Sequence, residues 1–408
     1  MSLSHDSVVS RIGHDYAAHR HDYAERWWEV LDPGFAEHDI PFALGLRDRV
    51  QVGASAAGDV VLRTLGACLV GAFALPGGYN PIALARSLRD RRFYGELAET
   101  RDPSRFFKRP PDRVRMLRRS AGHPLFRPTD GICEDVRFES PFVPVNPSER
   151  APYLSVRKNR YAHARHWRHG GKPRATVIAV HGFSADLYHL NEWFFSIPWL
   201  YASGYDVLLF TLPFHGKRQG GFSPFSGHGF FAGGASRINE AFAQAIHDLG
   251  IFLQHLFDEG VPAVGVTGVS LGGLTSALFA AVEERLSFVI PNVPVVSLAD
   301  LVLEWEPIGS VLRSLLAATG TDIRAARHLL SPSCPLTYAP RLPPERLMII
   351  GGVGDRLAPP KHAQLLWEHW GRCRIHWFPG SHLLHLDRGE YFRQMKRFLG
   401  EIEFRPGG

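Results

Sequence analysis

Gly268-Val269-Ser270-Leu271-Gly272 is the stretch on which the reading of this chain turns. It follows the apolar run Val264-Gly265-Val266-Thr267 and opens a helix-like run from Leu274 to Leu286, so the local pattern is strand, sharp turn, helix. A serine at such a turn is held in a strained backbone conformation that lifts its hydroxyl clear of the sheet, and a glycine two residues to either side leaves the turn room to close. The pattern reads as a nucleophile elbow. Five residues are a weak signal in a chain this rich in glycine, so the partners must carry the argument.

Those partners follow downstream. Arg346-Leu347-Met348-Ile349-Ile350-Gly351-Gly352 reads as a buried parallel strand that runs into Val353-Gly354-Asp355, with Pro359-Pro360 closing the loop. A second short strand, Arg374-Ile375-His376-Trp377-Phe378, leads into Pro379-Gly380-Ser381-His382 and sets His382 on the loop after it. The order is Ser270, Asp355, His382, which differs from the orders used by chymotrypsin-like and subtilisin-like proteases. Upstream, Ala175 to Val180 is a continuous apolar strand that ends in His181-Gly182-Phe183.

From about Asp135 to the C-terminus, two-thirds of its length, the chain resembles the α/β-hydrolase superfamily, specifically esterase- and lipase-like serine hydrolases. His181-Gly182-Phe183, the elbow, Gly354-Asp355 and Gly380-Ser381-His382 carry the resemblance. It implies an α/β fold: a mostly parallel central sheet with helices on both faces. It also implies an oxyanion hole made by the backbone N–H groups of Phe183 and Leu271; apart from the resemblance, His181, Gly182, Phe214 and Phe225 are candidate substrate contacts on the loops at the strand ends.

The chemistry explains the residue types. A serine hydroxyl is a poor nucleophile until an imidazole takes its proton, so His382 is expected to be the general base. Asp355 would fix the tautomer and stabilise the imidazolium, while two N–H groups stabilise the oxyanion. Each assignment has a rival. Ser270 could be a plain helix N-cap in an inactive relative. His385 lies inside Leu383-Leu384-His385-Leu386, where packing suits it better, and Asp300 follows the Phe288-Val289-Ile290 strand, where it could supply an acid from another strand.

Composition points to an enzyme-sized soluble chain. At 408 residues and 45% hydrophobic it can bury a large core and has residues to spare beyond one minimal domain. Cys68, Cys133, Cys334 and Cys373 are scattered without metal-ligand spacing, which argues for reduced thiols and against a disulfide framework; no metal and no cofactor are expected. Met1-Ser2-Leu3-Ser4-His5-Asp6 lacks the basic and apolar regions of a signal peptide, and no apolar run is long enough to span a bilayer. A cytoplasmic location is expected. The oligomeric state is not legible.

The chain divides into a mainly helical N-terminal accessory segment, 1–130, and a catalytic domain, 131–408. Helices are expected over Tyr16 to Leu31, Leu65 to Leu75 and Pro81 to Leu97. Between Arg86 and Arg119 stand twelve basic residues against five acidic ones, enough to account for the chain's net charge of +6. With no nucleic-acid-binding fold around it, this stretch reads as solvated surface, and no nucleic-acid partner is expected. Val136 to Ser140 and Tyr161 to Trp167 alternate like half-exposed edge strands, whereas Val207 to Phe210 reads as buried. Ser236 to Glu259 is a strong helix stopped by Gly260. His215 to Gly234 is a glycine- and phenylalanine-rich loop whose Phe222, Phe225, Phe230 and Phe231 either line an acyl site or pack beneath it. Residues 297–340 are mixed helix, placed where relatives carry a lid; lid and plain packing both fit.

The expected activity is hydrolysis of a small-molecule carboxylic ester through an acyl-enzyme. Thioesterase, peptidase and acyltransferase chemistry use the same residues, and a non-catalytic binding or scaffolding protein would keep the same fold.

Overall fold

Alternation along the central strands places Val177 and Ala179 on one side of the sheet and Ile178 and Val180 on the other, all fully buried. The next strand repeats it, with Val207 and Leu209 opposite Leu208 and Phe210. A strand apolar on both faces must be covered on both faces, which calls for helices above and below. The computed structural model describes all residues except 1–25, 46–48, 62, 64–85, 112, 185, 307, 319, 386, 387 and 408.

The sheet has nine strands: β1 Leu117–Ser120, β2 Gly131–Glu139, β3 Tyr161–His169, β4 Thr176–Val180, β5 Asp206–Thr211, β6 Val264–Val269, β7 Val289–Asn292, β8 Met348–Gly352 and β9 Arg374–Phe378. Their order is β1-β2-β3-β5-β4-β6-β7-β8-β9. β1, β2 and β3 run antiparallel, β3 meets β5 antiparallel, and every pairing from β5 to β9 is parallel. Strands β4, β6, β8 and β9 therefore end on the same edge, where ligands of open α/β sheets bind.

The helices used below are α1 over 49–61, α2 Arg91–Glu99, α3 Ile197–Ala202, α4 Gly234–Asp258, α5 Leu271–Val282, α6 Leu298–Glu304, α7 Ile308–Ala318, α8 Ile323–Leu330, α9 Pro360–His369 and α10 Arg388–Glu401. Side chains of α4, α5 and α9 cover one face of the sheet, and those of α3 and α10 cover the other. In α4, Phe242, Ile246, Leu249, Leu253 and Leu256 recur every three or four residues and are buried. Gly260, at φ 84°, ends the helix in the left-handed conformation that glycine adopts freely.

The two expected edge strands are interior. β3 is buried along most of its length between β2 and β5, and β2 is flanked by the exposed β1, a strand that sequence reading did not anticipate. Polar residues misled the pattern: Arg165 of β3 is buried because Asp135 at 2.9 Å and Glu192 at 3.4 Å neutralise it. A charged side chain signals exposure only when nothing pairs it.

The N-terminal region shares the main core. Trp27, Trp28, Phe35, Tyr94, Phe106 and Phe107 are buried in the cluster that also holds α4 and α5. Glu240 of α4 ties the region down by accepting from Tyr94 Oη at 2.8 Å, Val145 N at 2.7 Å and Asn146 N at 2.9 Å, and burial lifts its carboxyl to about 7. Trp27–Val30 is helical at the end of the expected Tyr16 to Leu31 helix, and α2 falls at the end of the Pro81 to Leu97 one. The expected Leu65 to Leu75 helix and Cys68 lie outside the described residues. The 297–340 stretch forms α6, α7 and α8, in which Ala299, Leu303 and Ile323 share a small core of their own. No described helix is long and apolar enough to cross a membrane.

Candidate active site

Ser270 stands between β6 and α5 with φ 56° and ψ −114°, a backbone conformation unfavourable for any residue with a β-carbon. Its N–H donates to Asn292 O at 2.9 Å and its carbonyl accepts from Leu274 N at 2.9 Å, so the neighbouring strand β7 and the helix α5 hold the turn. The glycines are sterically required. A β-carbon at Gly268 would lie 2.2 Å from Gly272 O, and one at Gly272 would lie 2.0 Å from Val180 O. Leu271 opens α5, and the first N–H groups of a helix have no carbonyl partner within it, so they face the turn with the positive end of the helix dipole.

The loop after β4 approaches from the other side. A β-carbon at Gly182 would stand 3.4 Å from Ser270 Cβ, which places the His181-Gly182-Phe183 backbone beside the serine. His181 orients that backbone: its Nδ1 lies 2.8 Å from Gly182 O and its Nε2 lies 3.1 Å from Leu212 N. Because Nε2 accepts, Nδ1 carries the proton and donates; burial, which pulls this imidazole down, keeps it neutral. With the Gly182 carbonyl pinned on one side, the trans peptide directs the Phe183 N–H to the opposite side.

Asp355 and His382 meet at the ends of β8 and β9. Asp355 Oδ2 lies 2.6 Å from His382 Nδ1, and its Oδ1 accepts from Leu357 N at 2.9 Å and Ala358 N at 2.7 Å. Burial raises the Asp355 carboxyl above its ordinary value, opposed by His382 and the Ala358 N–H. Burial draws the His382 imidazole down, but the Asp355 and Asp59 carboxylates outweigh it, and the net direction is up. Among the described residues, no hydrogen bond joins Ser270 to His382; in substrate-free hydrolases this contact is commonly long and tightens when substrate binds.

The rival residues have other partners. Asp300 is fully buried in an ion pair with Arg327, and His385 packs among Phe194, Phe378 and Tyr391, with its pKa pushed down to about 3 by burial. Phe214 is buried against Tyr153 with ring centroids 5.1 Å apart, beneath Gly229. Phe225 is half-buried and meets the Phe183 ring edge-on at 5.9 Å; Phe231 does the same at 5.1 Å. Sequence reading missed Asp59 altogether: its Oδ2 accepts from His382 N at 2.7 Å, across 323 residues. No group of three described His, Cys, Asp or Glu side chains could hold a metal ion.

The strand order, the strained serine turn between β6 and α5, and the acid and histidine at the ends of β8 and β9 define an α/β-hydrolase fold. The chain belongs to the same family as two uncharacterized proteins of Mycobacterium tuberculosis, one from strain H37Rv and one from strain CDC 1551, to each of which it is 30% identical over 303 residues spanning 71% of this chain and 68% of the relative. No protein-family model matches the chain. Among solved structures, it is similar to acetyl xylan esterase 1 from Thermoanaerobacterium sp. JW/SL YS485, with a TM-score of 0.49, 17% identity, and 77% of this chain and 93% of that one covered. It is also similar to an acetyl xylan esterase from Paenibacillus sp. R4, with a TM-score of 0.49, 15% identity, and 76% and 94% of the two chains covered.

Proposed function

We propose that this protein is a serine hydrolase that cleaves a carboxylic ester. Ser270 attacks the ester carbonyl while His382 takes its proton; the bond to the leaving alcohol then breaks as His382 returns that proton, leaving an acyl-serine. Water, activated by the same imidazole, releases the acid and restores Ser270. Asp355 holds His382 by Nδ1, so that Nε2 is the nitrogen free to receive the proton. The N–H groups of Leu271 and Phe183 would stabilise the oxyanion. The observation that carries the reading is the conjunction of a left-handed Ser270, packed against Gly182, with a buried His382–Asp355 pair at the same edge of the sheet.

An apolar or aromatic acyl group suits the surroundings. Leu383 and Leu384, directly after His382, are 45% and 50% exposed, and Phe183, Phe225 and Phe231 form an aromatic cluster around the Phe183 loop. In this reading residues 131–408 form the catalytic domain, 1–130 an accessory segment and 297–340 a lid. Unpaired Cys133, Cys334 and Cys373 fit a reducing compartment such as the cytoplasm.

The test is labelling with a fluorophosphonate probe, with the adduct located by mass spectrometry and Ser270→Ala as control. An adduct on Ser270 supports the reading; a folded protein that takes none at Ser270 favours a non-catalytic role for the fold.

A further inference from the structure

Helix α1 lies across both loops that carry the acid and the histidine. Val52 and Asp59 are seven residues apart, which sets them on one face of α1, and Arg63 stands four residues after Asp59 in the chain. All three contact the loop that carries the acid, and Asp59 reaches the histidine loop as well. Val52 packs on Gly354, where a β-carbon would stand 2.8 Å from Val52 Cγ1 and 3.1 Å from Val52 O. Asp59 Oδ2 accepts from His382 N at 2.7 Å and from Arg356 N at 3.2 Å, and Arg63 Nη1 donates to Arg356 O at 3.1 Å. Asp59 is only 1% exposed. The loops also touch each other directly, with Gly354 N donating to Gly380 O at 2.8 Å.

We propose that Asp59 is a positioning residue: one carboxylate oxygen, delivered by the accessory segment, fixes the His382 backbone and the Arg356 backbone to a common point and so sets the His382–Asp355 pair. This inference rests on the serine-hydrolase reading of the site. The physical ground is that the two loops leave separate strands, and neither supplies an acceptor for these two N–H groups. A buried N–H without a partner would seek another arrangement. Without Asp59 the His382 loop loses its anchor, and a displacement of about 1 Å at a reacting group costs roughly 100-fold in rate. The absent β-carbon at Gly354 serves the same contact, because a side chain there would lift α1 away.

The experiment compares wild type, Asp59→Ala, Asp59→Asn and Asp59→Glu for p-nitrophenyl ester turnover and fluorophosphonate labelling at Ser270, with near-ultraviolet circular dichroism as the check on folding. Asp59→Ala should lower kcat by about 10- to 100-fold and leave KM within about threefold. Asp59→Asn should recover most of that loss, because an amide oxygen can take both N–H groups, whereas Asp59→Glu, with its acceptor displaced by a methylene, should not. A folded Asp59→Ala protein with wild-type kcat overturns the proposal. If Asp59→Ala does not fold, the other two variants decide: an active Asp59→Glu beside an inactive Asp59→Asn would show that charge, not a placed acceptor, is what the site needs. Wild-type protein that takes no label at Ser270 removes the hydrolase reading itself, and is recognised before any Asp59 variant is measured.

Discussion

Arg327 grips Asp300 at two points, Nε to Oδ2 at 3.0 Å and Nη2 to Oδ1 at 2.6 Å, with both side chains fully buried. The same guanidinium donates to the carbonyls of Leu31 and Asp32, so this pair joins α6 and α8 to the N-terminal region. Asp300 is thereby occupied in holding the fold.

Asp300→Asn should therefore lower stability by about 3 kcal/mol, because Arg327 keeps its buried charge and loses its counter-ion. Chemical denaturation measures this, and kcat of the folded protein should not change. A large fall in kcat at unchanged stability would return Asp300 to the role of catalytic acid.

Asp355→Asn should do the reverse. The amide would present the wrong hydrogen-bonding group to His382 Nδ1, and kcat should fall by about 10⁴-fold while the melting temperature changes little. Steady-state kinetics on a purified, folded variant checks it.

The pH profile carries a sign. A histidine acts as a base only when neutral, and the pKa of His382, the proposed base, is raised: burial opposes the charge, but the carboxylates of Asp355 and Asp59 outweigh it. Activity should therefore be lost as pH falls through a midpoint above about 6.5, the ordinary value for histidine. Measured kcat/KM across the pH range gives that midpoint, and one well below 6.5 would contradict the assignment.

His181→Ala should loosen the Gly182–Phe183 peptide, since the imidazole is what pins the Gly182 carbonyl to the end of β5. If Phe183 N–H stabilises the oxyanion, kcat should fall by about 100-fold with KM little changed. Equal kcat in the folded variant would remove Phe183 from that role.

Much of the parallel half of the sheet was legible in the residues. Continuous apolar runs announce strands buried on both faces, and the Gly268-to-Gly272 stretch is readable because only glycine tolerates the 2.0–2.2 Å approaches made there. The antiparallel half was less legible. β1 is Leu-Arg-Arg-Ser and carries no apolar pattern, and β3 hides Arg165 behind partners from other elements. Ser270, Asp355 and His382 could be named from their motifs, but the 2.6 Å contact between the last two exists only once β8 and β9 lie side by side.

What the sequence by itself determined about this protein is therefore local: which runs are apolar enough to be buried, where the strained serine turn falls, and which loops carry an acid and a histidine. The tertiary structure decided the pairings. It gave Asp300 to Arg327 and Asp355 to His382, and it brought Asp59 onto the His382 backbone across 323 residues. The physical reason is that periodicity and turn chemistry act over a few neighbouring residues, whereas the partner of a buried charge or N–H is whichever group the packed chain delivers to it.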